Sequence, residues 1–428
     1  MIRALLSTAL LAATTAASAQ EGFDPLDTSR LLRAETRAAA ANADIEAARR
    51  TNAAALALQP GQPGLLSNAV ILAGMAGDAE GRIAALEAIA RAGLVFDLDA
   101  LDALDALRAA APDRMEAVAA RLSANGAPKG GAERLATIAL PDALIEALEI
   151  DIETERLFLG GVAERAIWVV EHGSQEPRLF ADAGDGLRSV FGLAVDSRNR
   201  LLYATTGTVP QTPLGEGEAP DTALLAFDLV TGDLMVRHEI EGAGQLSGLT
   251  VRDGIVYVGD SGADRVYRLT GPLADLEILA EDTRFASLQG VVAAAGSVWV
   301  ADYALGLWRI DPGTGEARLA RTPASGESLV GLDALAVGPD GAIYAVRNGA
   351  APMGVLRITL DGEGRLADAE PVLTSHAAFG AHGEPTSLQI ADGRAFLLAN
   401  AQWALFPEDG SAPEAAREPA VVLTWPVE

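Results

Sequence analysis

The chain has 428 residues, no cysteine, and 59 acidic against 32 basic side chains, for a formal net charge of −27. Lacking cysteine, it has no disulfide, no thiol chemistry and no cysteine-ligated zinc, so its stability has to come from burial. Acidic residues run along the whole length rather than in a tail, a surface that repels phosphate backbones and anionic headgroups and so excludes nucleic acid as a partner.

Residues 1–19 read as a secretory signal peptide. Arg3 gives the positive end, Ala4 to Ala13 an apolar run, and Ala17-Ser18-Ala19 a small-residue cleavage site before Gln20. The mature protein is expected to start at Gln20 and to be periplasmic or secreted, the alternative being a retained anchor. No later stretch reaches the roughly 20 uninterrupted apolar residues of a membrane-spanning helix, so no membrane insertion is expected after cleavage.

Residues 20–125 are dominated by Ala, Leu, Glu and Arg, with apolar side chains at helical spacing, as in Ala84, Leu86, Ile89 and Ala90. Asp44-Ile45-Glu46-Ala47-Ala48 recurs 34 residues later as Asp78-Ala79-Glu80-Gly81-Arg82, and Asp113 stands 35 beyond Asp78. Each Asp is read as the cap of the second helix of a hairpin, with first helices over Leu31–Ala41, Leu65–Ala76 and Leu98–Ala110. The period resembles the tetratricopeptide repeat, although Ala and Leu fill its aromatic positions. The resemblance implies a groove for a protein partner; a rigid spacer is the other reading.

Residues 126–139, with Gly126, Pro128, Lys129, Gly130 and Gly131, form a linker, and over 140–428 the period becomes alternating. One short phrase recurs six times: Ala147–Ile150, Gly192–Val195, Gly248–Val251, Gly290–Val292, Ala334–Val337 and Ser387–Ile390. Six copies fit six four-stranded blades closed into a ring. The fold class is therefore mainly β, a six-bladed β-propeller preceded by a small all-α helical-hairpin repeat domain. Either Val421–Trp425 or the stretch around Leu135–Leu140 is expected to close the ring.

Immediately before the small residue of each phrase stand Glu146, Phe191, Ser247, Gln289, Asp333 and Thr386. In a propeller these positions converge on the mouth of the central channel. Two carboxylates, an amide and two hydroxyls suit a hard divalent cation, Ca²⁺, Mg²⁺ or Mn²⁺, and can also hold Zn²⁺. The alternative is a water-filled channel with polar walls.

From about Leu140 onward the chain resembles the senescence-marker-protein (regucalcin)/gluconolactonase propellers. The resemblance lies in Glu146-Ala147-Leu148-Glu149-Ile150-Asp151 with Glu155-Arg156-Leu157-Phe158, and in Leu332-Asp333-Ala334-Leu335-Ala336-Val337 with Asp340-Gly341-Ala342-Ile343-Tyr344. The family's divalent-metal ligands fall on Glu146, Ser247, Gln289 and Asp333, with Ser and Gln where the family carries Asn. An exported bacterial branch is resembled through Ser287–Gly290, Ala301-Asp302-Tyr303, Arg347-Asn348-Gly349, Glu384-Pro385-Thr386 and Asn400–Trp403. These phrases make Asp302, Tyr303, Asn348, Glu384, Thr386 and Trp403 the expected substrate-binding rim. The resemblance implies a metal-dependent hydrolase of a lactone or related small ester, with Asp333 as catalytic general base. The rival is a non-catalytic propeller that binds a small ligand or a protein. No Gly-x-Ser-x-Gly elbow, Walker loop or His-Glu-x-x-His pattern offers another chemistry.

Overall fold

A computed structural model describes residues 24–409, 411 and 415–427; the signal peptide expected over 1–19 lies outside them. The chain divides between Asn125 and Gly126 into two compact units.

The first unit holds α1 (Pro25–Ala41), α2 (Ile45–Leu58), α3 (Pro63–Met75), α4 (Ala79–Arg91), α5 (Leu104–Ala110) and α6 (Pro112–Gly126). Asp44 accepts from Ala47 N at 3.0 Å and Asp78 from Gly81 N at 2.9 Å, so both aspartates satisfy a backbone donor that the first helical turn leaves open. Asp113 does not cap. Pro112 takes the first helical position, which needs no N–H, and Asp113 sits inside the first turn against the positive end of the helix dipole. The helix expected over Leu98–Ala110 is confined to α5. Ala103 ahead of it is left-handed at φ 57°, and Arg82 Nη1 and Nη2 hold Asp102 through its carbonyl at 3.0 Å and its carboxylate at 2.5 Å. Asp99 and Asp102 belong to a residue type that competes with helix by bonding local backbone, which favours the irregular approach.

The second unit is six antiparallel four-stranded sheets. Their innermost strands are Ile145–Asp151, Ser189–Asp196, Leu246–Arg252, Leu288–Ala294, Leu332–Val337 and Ser387–Ala391, for blades 1 to 6, and each contains one copy of the recurring phrase. Blade 6 is completed from both ends of the unit: Ala420–Pro426 is its third strand, and Glu133–Ile138 pairs outside it, Ile138 opposite Ala420 and Ala136 opposite Val422. Both candidate closing segments are used, and Glu133–Ile138 of the expected linker over 126–139 is this outermost strand. Strands from both ends of the unit, paired in one blade, close the ring.

Two features of the blades explain why the phrase reads as it does. Opposite its third residue the second strand always carries an aromatic: Phe158, Tyr203, Tyr257, Trp299, Tyr344 and Phe396, all buried. Phe158 packs into the core shared with blade 2, Tyr203 with blade 3, Trp299 with blade 5, Tyr344 with blade 6 and Phe396 with blade 1. The small residue of the phrase lets neighbouring innermost strands touch: a Cβ on Gly248 would come within 2.8 Å of Gly290 Cα, and one on Gly290 within 2.6 Å of Asp333 O.

Candidate functional site

In blades 1 to 5 the register of the innermost strand breaks at its entrance, between Ile145 and Ala147, Val190 and Gly192, Leu246 and Leu249, Leu288 and Val291, and Leu332 and Leu335. The residues in these breaks include Glu146, Phe191, Ser247, Gln289 and Asp333. A bulge leaves a residue out of the ladder and re-aims its side chain, which here brings all five, with Thr386 of blade 6, onto one cavity of about 70 Å³ at the channel mouth. Gln245, which no sequence signal marked because it belongs to an irregular loop, lines the cavity too. A larger hollow of about 710 Å³ opens among the turns that follow the innermost strands, and none of the six channel-facing residues lines it. The chemistry therefore points to the smaller cavity.

The acids are held by neutral donors. Trp403 Nε1 donates to Glu146 Oε2 at 2.7 Å. Asn348 Nδ2 donates to Asp333 Oδ2 at 2.7 Å and to Pro385 O at 3.0 Å, while Asn348 Oδ1 is buried without a donor. Burial pushes Glu146 well above the usual carboxylate range, the nearby charge of Asp333 adds to this, and the Trp403 bond works against it. Burial likewise lifts Asp333 to about 7, opposed by the Asn348 bond and helped by the charge of Glu384. Glu384 is itself raised by burial. The Tyr303 phenol is pushed up to about 12 by burial and then by the charges of Glu384, Asp333 and Glu146, so it keeps its proton at neutral pH. Its ring lies against Gly349, where a Cβ would approach ring Cζ to 2.5 Å, which accounts for the glycine after Asn348.

The remaining expected residues serve other ends. Thr386 lines the cavity, but its hydroxyl donates to Glu146 O at 3.1 Å and so ties blade 6 to blade 1. Asp302 is not on the rim. It is fully buried and accepts from Ala286 N at 2.9 Å, Ala304 N at 3.1 Å, Leu305 N at 3.2 Å and Trp308 Nε1 at 3.1 Å, so both carboxylate oxygens are spent on bracing blade 4. In the connection that leads to Glu384, His376 accepts from Ala378 N at 3.1 Å and caps a turn, and His382 is exposed.

A hard divalent cation suits the donor chemistry of the cavity. Among the described residues no three Asp, Glu or His side chains converge, so the acids at hand are Glu146 and Asp333, and neutral oxygens on the cavity include the Gln289 and Gln245 amides and the Ser247 and Thr386 hydroxyls. No Arg or Lys is bonded to either acid among the described residues, which leaves the half-buried pair without a counter-charge. A volume of about 70 Å³ leaves room for an ion with its waters, since one water needs roughly 10–15 Å³ on this measure.

No protein-family model matches the sequence, and none of the curated proteins does. Solved structures are similar in architecture. A calcium-binding protein, regucalcin, from Agrobacterium tumefaciens is 15% identical with a TM-score of 0.45, over 68% of this chain and 93% of that one. A luciferin-regenerating enzyme is 12% identical with a TM-score of 0.46, over 69% and 95%. The PQQ-bound aldose sugar dehydrogenase of Streptomyces coelicolor is 13% identical with a TM-score of 0.45, over 70% and 99%. The assignment of six blades rests on the strand pairing described above.

Proposed function

We propose that the channel mouth hydrolyses a lactone or related small ester, and that Glu146, Gln289 and Asp333, with Ser247 or water, hold a divalent cation there: calcium, manganese, magnesium or zinc. The observation that carries this reading is the pair of half-buried carboxylates that face each other's charge without a basic partner. Such a pair has to bind a proton, a cation or hydrogen-bond donors of a ligand. When bound, the cation would supply Lewis-acid polarisation of the carbonyl and a lowered pKa for water.

The chain's own groups do the rest. Asp333 takes a proton from the attacking water as the water oxygen bonds to the carbonyl carbon; the ring C–O bond then breaks and the proton passes to the departing oxygen, giving the hydroxy acid. Asn348 fixes one oxygen of Asp333 and leaves the other for this proton. Tyr303, protonated at neutral pH, is a donor for the substrate oxygen, and Glu384 and Trp403 bound the space in which the ring is oriented. The signal-peptide pattern read in residues 1–19 supports placing this reaction in the periplasm or outside the cell.

One observation favours the non-catalytic reading: Ser247 Oγ donates to Gln289 O at 3.1 Å and Gln289 Nε2 to Ser287 Oγ at 3.1 Å, so both neutral groups are engaged within the sheet edges. Turnover of simple lactones before and after chelation separates the two. Activity lost on chelation and restored by one added cation supports the hydrolase; lactone binding without turnover under any cation supports the binder.

A further inference from the structure

The connections between second and third strands make the mouth lopsided. In blades 3, 4 and 5 they are short, residues 261–264, 303–305 and 348–353, whereas blade 2 uses 208–221 and blade 6 uses 399–419. The two long ones meet: Gln211 Nε2 donates to Phe406 O at 3.2 Å. Beneath them Leu144, Val162, Leu405 and Phe406 are buried, and Phe191, Val209 and Trp403 pack on this cluster while staying half-buried. The wall is fixed in place. Arg165 Nη1 and Nη2 clamp the two carboxylate oxygens of Glu218 at 2.6 and 2.7 Å, Arg165 also donates to Pro213 O at 2.9 Å, and the hydroxyls of Thr212 and Ser189 lie 2.6 Å apart.

This apolar wall is continuous with the acid site at two points. Phe191 is the one apolar member of the six channel-facing residues and lines the same cavity as Glu146 and Asp333. Trp403 packs its ring on the apolar cluster and gives its indole N–H to Glu146. The side of blades 4 and 5, by contrast, offers Gln289, Asp333 and Asn348. A molecule held between them meets oxygens on one flank and aromatic and aliphatic carbon on the other.

Resting on the hydrolase reading above, we propose that the substrate is a lactone or ester carrying an apolar alkyl or aryl substituent, which lies on Phe191, Val209 and Trp403 while the carbonyl faces Glu146 and Asp333. A polyhydroxylated ring in the same pose turns hydroxyls onto carbon that offers them no partner, and a site that strips water from hydroxyls without replacing their bonds discriminates against them. Each methylene in a well-matched apolar pocket is worth roughly 10-fold or more in specificity.

The test measures kcat/KM of the full mature protein, with calcium and in parallel with manganese, on an unsubstituted δ-lactone, an alkyl-substituted δ-lactone and glucono-δ-lactone. The alkyl lactone is expected to exceed both others by about 10-fold or more. Phe191→Ser should lower kcat/KM for the alkyl lactone about tenfold more than for the unsubstituted one, with Val209→Ser acting the same way to a smaller extent. Preference for glucono-δ-lactone, or an equal loss on all three lactones in both variants, overturns the proposal and leaves the hydrolase reading standing. If no lactone turns over, the hydrolase reading falls, and calorimetric binding of the same three compounds decides the substituent question: tighter binding of the alkyl lactone that Phe191→Ser removes supports the apolar wall, and equal or absent binding overturns it.

Discussion

Acids withdrawn from water occur at two kinds of place in the blades, and they differ in what surrounds the carboxylate. At the ends of the second strands of blades 3 and 4, Asp260 and Asp302 pair across the sheet with Leu246 and Leu288. Asp260 accepts from the backbone N–H groups of Gly244, Gln245, Gly262 and Ala263 at 2.9 to 3.0 Å, as Asp302 does from its own loop. In blade 5 the corresponding position opposite Leu332 is Arg347, whose Nη1 bonds Glu327 Oε1 at 2.8 Å, both side chains almost wholly buried. At the entrances of the first strands, Glu146 and Asp333 have a single side-chain N–H donor each and face each other's charge. The contrast teaches that burial of an acid is no sign of function in this fold. A carboxylate ringed by backbone donors is a brace; one left short of donors is available to a ligand.

The largest effect that sharpens this contrast should come from the brace. Asp302→Ala removes the acceptor of four N–H donors, the buried Trp308 indole and three part-buried backbone groups that water can partly rescue; at roughly 1–3 kcal/mol per orphaned group a loss of about 4 kcal/mol is expected in urea denaturation. A loss below about 1 kcal/mol would break the distinction. Next comes Glu149, a buried acid of blade 1 that burial raises to about 8 although it accepts from the N–H groups of Ile150 and Val195. Its folded pKa lies above its unfolded one, so the stability it contributes is full below about pH 4.5 and is lost as pH rises through 8. Glu149→Gln should flatten a decline of roughly 2–4 kcal/mol over that window, read from denaturation at stepped pH. The smallest effect is predicted for Asp333→Asn in chelator, which relieves charge repulsion at the half-buried mouth and should be neutral or stabilising by about 1 kcal/mol at pH 8. Strong destabilisation there would make Asp333 a brace as well.

The blades were legible because each innermost strand repeats a small residue at a fixed place, dictated by close approach of neighbouring strands, as at Gly248 and Gly290. The convergence of Glu146, Ser247, Gln289 and Asp333 on one cavity followed from counting one residue back from that position. Asp302 was misread because the one-letter neighbourhood Ala-Asp-Tyr is the same whether the carboxylate turns to the mouth or to its own loop. Asp113 was misread because Pro112, and not the aspartate, begins the helix. The wall built by 208–221 and by the segment around Trp403–Phe406 left no periodic trace, since its contacts join loops nearly 200 residues apart, as between Gln211 and Phe406.

The central claim is that an uncompensated acid pair at the channel mouth holds a cation. Calorimetric titration of the mature protein with Ca²⁺, Mn²⁺, Mg²⁺ and Zn²⁺, wild type beside Asp333→Asn, tests it most directly. The account predicts one equivalent bound by the wild type and none by the variant; no binding of any of the four ions, or equal binding by the variant, would contradict it.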